Sequence, residues 1–396
     1  MPTPPHFQGR DDPSALVILP EEIRSQDGRL FIRSRENTVS VTGEIDPFSI
    51  ENRYRTIHLE GTKTQLSQIV PNLLFQPDIR NDTDVSDESD DSTVADFNKS
   101  IRFAIFCLHS PSPPQIAWHS WKDGRVFETP PIDISSALIV AIDRLPRLEY
   151  LNLQLESFMP TDVAQFIRLL PSLGRGWDIR HLDLRVAPVL AEAVINQCPR
   201  LEALQYYNWP DEHVPYALIG KSSLERLSLT LGQAANRVAV VPPSLQIANL
   251  ESILRRHAFL TWLVLMEDPG LFKPDFSRAP VVSRYHYDNS IMSACAVLQQ
   301  HSSLKRFACT LYSHAARALD YDLEDASPAE MDQWYMGKIR IFDQELPHLE
   351  QVCILAECPV IYQGTRPGIG EPMRIQKTEA RRKDQTFPVG LFVGET

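Results

Sequence analysis

Reactive side chains are present in this sequence, but their spacing suits few reactions. His286 stands between Tyr285 and Tyr287 in what reads as a loop. No nucleophile or base neighbours it, so a surface aromatic cluster is favoured over proton transfer. Cys353 and Cys358 have no second cysteine pair at zinc spacing, and Cys353 falls in a strand pattern, as a structural thiol would. Gly368-Ile369-Gly370 lacks the third glycine of a phosphate-cradling turn, and no nucleophile elbow occurs. We therefore expect a non-enzyme with no cofactor and no metal. What remains is the chemistry of a surface. Arg185, Tyr207, Arg226, Trp262, Met266 and Arg306 place guanidinium, aromatic and thioether groups beside the strand apolars of a recurring phrase, and Tyr207, Arg226 and Trp262 are expected in one patch with Arg185 beside them. Large aromatics beside arginines are the composition of protein-binding hot spots.

The phrase is apolar-x-x-apolar-x-apolar. It reads Leu148-x-x-Leu151-x-Leu153, Ile179-x-x-Leu182-x-Leu184, Leu201-x-x-Leu204-x-Tyr206 and Leu224-x-x-Leu227-x-Leu229. Looser copies begin at Tyr54, Ile101, Leu260, Leu304 and Leu349. Helix-patterned stretches lie between them, at 133–144, about 245–257, about 290–300 and about 329–345. Proline precedes three of the strands, at Pro146, Pro199 and Pro347, where it ends the helix before it. The phrases are 22 or 23 residues apart in the tight middle and 44 or 45 at the end, with the excess in loops such as 231–243 and 267–288. One strand plus one helix per unit is the pattern of a solenoid.

Alternation in a strand sends Leu151 and Leu153 inward and Asn152 outward. Helices are roughly 10 Å wide and strands are spaced about 4.8 Å apart, so a stack of such units curves with its strands inside. The expected fold is α/β: a horseshoe with parallel strands on the concave face and helices on the convex face. A doubly wound sheet would want apolar residues on both strand faces. Here Asn152, Gln154, Asp183, Arg185, Ser228 and Thr230 point outward. Trp262 and Met266 would be costly in water unless a partner, the loop 267–288 or the C-terminal tail covers them.

The 396 residues carry a formal charge of −12, which argues against nucleic-acid binding. No apolar run reaches membrane-span length. Six scattered cysteines read as reduced thiols inside the cell, in cytoplasm or nucleus. Residues 1–13 read as a disordered N-terminus and 14–50 as a β-rich cap. The solenoid spans 51–358, interrupted by an acidic disordered insertion at 78–96 with a net charge of −7, and 359–396 is a C-terminal tail.

The pattern resembles leucine-rich repeat domains of the ribonuclease-inhibitor-like type, over about residues 54–358. Cys198-Pro199-Arg200-Leu201-x-x-Leu204 is similar to repeats of irregular fungal F-box proteins with leucine-rich repeats, and Leu19-Pro20-Glu21-Glu22-Ile23 to the opening of the F-box. Gly28 and a β-rich run follow that opening, where the family has two further helices. The resemblance implies a scaffold that binds another protein on its concave face, as the substrate-recognition component of a ubiquitin ligase. The alternative is an enzyme of unknown reaction on an irregular α/β fold.

Overall fold

The computed structural model describes residues 29–34, 37–42, 56–63, 101–109, 133–207, 223–231, 243–267, 284–311, 325–357, 360–368, 370–379 and 387–388, with single positions at 66, 67, 70, 99, 317 and 323. The F-box-like opening Leu19–Ile23, the acidic stretch 78–96 and the Pro-rich stretch 111–132 lie outside the described residues.

Thirteen strands occur among the described residues: β1 (Arg29–Ser34), β2 (Asn37–Thr42), β3 (Thr56–Thr62), β4 (Phe103–His109), β5 (Tyr150–Gln154), β6 (His181–Arg185), β7 (Ala203–Tyr207), β8 (Arg226–Leu231), β9 (Trp262–Glu267), β10 (Arg306–Thr310), β11 (Gln351–Glu357), β12 (Val360–Thr365) and β13 (Arg374–Glu379). They make one mixed sheet whose spatial order is the order of the chain. From β3 to β11 every neighbour is parallel. β1 and β2 at one end, and β12 and β13 at the other, pair antiparallel. A parallel neighbour requires a crossover. Among the described residues six α-helices lie between the later strands: α1 (Ile134–Asp143), α2 (Pro160–Leu169), α3 (Pro188–Gln197), α4 (Ile247–Arg256), α5 (Arg284–Leu298) and α6 (Pro328–Glu345). None of them is long and apolar enough to cross a membrane.

Each of β3 to β11 contains the last two apolar residues of one phrase, and they share a register. Leu153 pairs with Leu184, Tyr206 with Leu229, and Leu265 with Cys309. All six are at most 1% exposed and belong to one core with the inward residues of the helices, such as Leu190, Val194 and Phe342. Burying each leucine is worth about 1.5–3 kcal/mol, and a one-residue slip would turn the whole row outward, so the pattern specifies the register.

The leading apolar residue of several phrases enters through a turn. Leu148 N–H donates to Leu145 O and Leu349 N–H to Leu346 O, both at 3.1 Å. Pro146 and Pro347 fill the second position of these turns, where a fixed φ is favourable. Since α1 already ends at Asp143, Pro146 shapes the turn rather than stopping the helix.

Two expectations need correction. The stretch 359–396 is not simply a tail, because β12 and β13 extend the sheet from it. β12 lies close against α6: a Cβ on Gly364 would meet Ile339 Cγ2 at 2.7 Å, so only glycine fits. Tyr362 stacks on Tyr335 of α6 at 4.5 Å, and Lys377 of β13 pairs with Asp332 at 2.9 Å. Pro367, Gly368, Gly370 and Pro372 lie in the connection between β12 and β13, and composition alone does not distinguish such a turn from a tail. Likewise Tyr285, His286 and Tyr287 belong to the first turns of α5 and not to a loop. Aromatic residues are only moderate helix formers, so the local sequence does not mark the start of this helix.

Candidate functional site

The core lies on one face of the sheet, together with the helices. Among the described residues no helix packs on the opposite face, called the helix-free face below, and each strand presents to it a leading, a middle and a trailing side chain. The leading row runs Tyr150, His181, Ala203, Arg226, Trp262, Arg306. The middle row runs Asn152, Asp183, Gln205, Ser228, Val264, Ala308. Gln154, Arg185, Tyr207, Thr230 and Met266 make the trailing row.

All six anticipated residues lie on this face and are partly buried. They do not form one patch. In the trailing row the Arg185 guanidinium stacks on the Tyr207 ring at 4.0 Å, and Gln205 Nε2 donates to Tyr207 Oη. In the leading row Trp262 sits in register between two arginines, with the Arg226 guanidinium 5.6 Å and the Arg306 guanidinium 4.3 Å from the ring centre. Tyr207 pairs with Thr230, four residues along the strand from Arg226, so about 13 Å of strand separates the two stacks. Met266, like Leu355, packs on an apolar cluster at the far end of the face. Expecting Tyr207, Arg226 and Trp262 side by side overlooked that residues of successive strands share a row only at matching register.

The small Ala203 leaves a gap in the leading row, and Arg226 reaches across it to donate to His181 Nε2 at 3.4 Å. A guanidinium can only donate, so that nitrogen accepts and the imidazole is neutral. Burial, then Arg226 and Arg180, lower the His181 pKa to about 4. The Glu202 carboxylate 4.0 Å away is therefore not an ion-pair partner at neutral pH.

Beneath these groups lies a polar cluster. Asn152, 6% exposed, donates from Nδ2 to Asp183 Oδ2 at 2.8 Å and approaches Tyr150 Oη at 3.4 Å. Asp183 is the one carboxylate in the middle row from β4 to β11. Burial raises its pKa to about 7, against the opposing pull of Arg185 and the Tyr150 hydroxyl. Burial also raises the Tyr150 and Tyr207 phenols, so both stay protonated and able to donate. Asn152 Oδ1, Asp183 Oδ1 and Arg185 Nε are sealed from solvent without a protein hydrogen bond. Beside them burial lifts the Cys107 thiol to about 11, which keeps it a poor nucleophile. No cluster of three histidine, cysteine or carboxylate side chains suited to a metal occurs among the described residues.

No family model and no curated protein matches this chain.

The far end of the face differs. Val264, Ala308, Cys353, Ile361 and Phe387 form a second apolar cluster, separate from the main core, with Trp262, Met266 and Leu355 packed on it. Phe387 meets Trp262 edge to face at 5.7 Å. Of the three covers considered for Trp262, a C-terminal residue is therefore in place. Ser228, taken as an outward surface residue, is 2% exposed. It is a small side chain between Gln205 and Val264 in register and between Arg226 and Thr230 along its strand, and its larger neighbours hide it. The role of Phe387 was not legible, since one aromatic in a Pro- and Gly-rich stretch has no period to betray it. Asp183 carried a signal, as the lone acid among the middle positions.

Proposed function

We propose that the chain is a leucine-rich repeat solenoid, curved with its strands on the concave side, and that its helix-free face binds another protein without catalysing a reaction. Chain-order stacking and a parallel sheet backed by helices support the solenoid. The observation that carries the binding role is the pair of arginine–aromatic stacks, Arg185 on Tyr207 and Arg226 beside Trp262, held partly exposed on a face over which no described helix lies. Such anchors are pre-organised and lose little freedom on association.

The test is capture of partners from native cells. Tyr207→Ala and Arg226→Ala should each reduce capture at least about tenfold, equivalent to about 1.4 kcal/mol, with thermal melting unchanged. Asn196→Ala, on the exposed side of α3, should change neither. If all three variants capture equally, the face is not the binding surface. The resemblance extends the reading to the substrate-recognition component of a ubiquitin ligase. Co-purification of the ligase adaptor, lost when Leu19 and Ile23 are both changed to Asp, would support that extension; its absence leaves a plain interaction scaffold.

One observation favours a second reading, an enzyme on the same face. Asp183, with Tyr150 and Arg185 beside it, is a carboxyl group set to exchange a proton near neutral pH. Asp183→Asn separates the two: a binder keeps its partner, whereas an enzyme keeps its ligand and loses turnover.

A further inference from the structure

At the apolar end of the helix-free face a row of small buried side chains runs between larger ones, a step we read as a trough. Its floor is Val264, Ala308 and Cys353, adjacent in register and fully buried. In the same row β5–β7 carry Asn152, Asp183 and Gln205, so the floor drops where small apolar residues replace long polar ones. Trp262 forms one wall, braced on either side by Arg226 and Arg306. Met266, Leu355 and Ile361, from the trailing positions of three strands, form the other. Into this trough the chain places Phe387, 5% exposed, followed by the buried Pro388.

Two features distinguish this from ordinary core packing. The cluster around Phe387 shares no member with the main core, so the strands and helices keep their packing without it. The walls are also built without Phe387: the arginines hold Trp262 from both sides, and the strand ladders fix Met266, Leu355 and the floor. The site is thus pre-formed for a flat ring followed by a residue with no N–H to satisfy.

We propose that this trough is a docking site for an aromatic–proline segment, and that the chain's own Phe387–Pro388 occupies it reversibly in cis. The proposal rests on the reading of the helix-free face as a protein-binding surface, and adds that its apolar end is closed in the isolated chain. A tethered occupant acts at high effective concentration, so a free segment of the same type competes only when the cis contact is weakened.

The test uses the full-length chain and a synthetic peptide of residues 381–391. Phe387→Ala in the chain should open the trough. The peptide should then bind the variant saturably and the parent at least about tenfold more weakly. A peptide carrying alanine at 387 should not bind. Ala308→Leu, added to the Phe387→Ala chain, fills the floor from the helix-free side and should abolish binding. A second reading needs no peptide: in a Cys358→Ser background, Cys353 should be alkylated faster in the Phe387→Ala chain than in the parent. Equal peptide binding to parent and variant, no binding to either, or unfolding of the Phe387→Ala chain would each overturn the proposal. None of these measurements involves an external partner, so their failure is distinct from failure of the face to bind one.

Discussion

At the scale of single residues, the helix-free face holds charge under strain of burial. Asp183 titrates at about 7 in the folded chain against 3.8 for an ordinary carboxyl. Between those values the folded state holds a proton that the unfolded state has released, so this group's contribution to stability is complete below pH 3.8 and is lost as pH rises through 7. Asp183→Asn should therefore gain stability relative to the parent as pH goes from about 5 to about 8. A gain of roughly 1–3 kcal/mol is expected, below the full linkage value because the residue is only partly buried. Chemical denaturation at the two pH values measures it, and a pH-independent difference would show that the carboxyl is ordinary. Glu267 follows the same sign. It is buried, accepts from Ser244 N–H at 3.1 Å and Oγ at 2.7 Å, and is raised to about 7 by burial. His181 runs the other way: its lowered pKa costs stability as pH falls through 6.5 towards 4. Ser228 gives a second prediction. Leu227→Asp should unfold the centre of the sheet, since a buried unpaired charge costs several kcal/mol. Ser228→Asp should also destabilise, by about 1–3 kcal/mol, because its site is closed. Alternation decides which way a side chain points, whereas its exposure depends on the size of its neighbours.

At the scale of elements, most of the architecture was legible because it repeats. Nine phrases with a period-two strand and an inward leading residue predict β3 to β11, and 3.6-residue patterns predict most helices within a few positions. What stayed hidden had no repeat to reveal it. β12 and β13 occur once, and their residues look like a polar tail until α6 supplies Tyr335, Ile339 and Asp332 as partners. The candidate surface residues were legible as types but not as neighbours, since rows depend on register and the intervening lengths vary from 22 to 47 residues. The two terminal strands have a job: without them β11 would present unpaired N–H and C=O groups along its edge. A chain ending at Glu357 should melt lower than the parent and elute as higher-order species in size-exclusion chromatography. A truncated chain that remains monomeric with unchanged melting would show that β11 needs no cover.

At the scale of the whole molecule, strand order and chain order coincide, so each unit leans chiefly on the one before and the one after. Stability in such an array is a sum of unit and interface contributions, and ends with one neighbour open first. Native-state hydrogen exchange should therefore be slowest in β6, β7 and β8, which lie furthest from both ends of the sheet. Uniform protection from β3 to β13 would indicate a single cooperative block. The same coincidence governs the response to mechanical load. A pull applied to the two ends of the chain enters the sheet at opposite edges and acts across the strands, so the hydrogen-bond ladders unzip in succession rather than shearing together. Each release would free one strand and its crossover, about 80 Å of contour for the 23 residues from Leu201 to Leu224. Stretched in this way, the protein would let out chain in steps and rewind unit by unit when the tension falls, as a spring does and a compact globule does not.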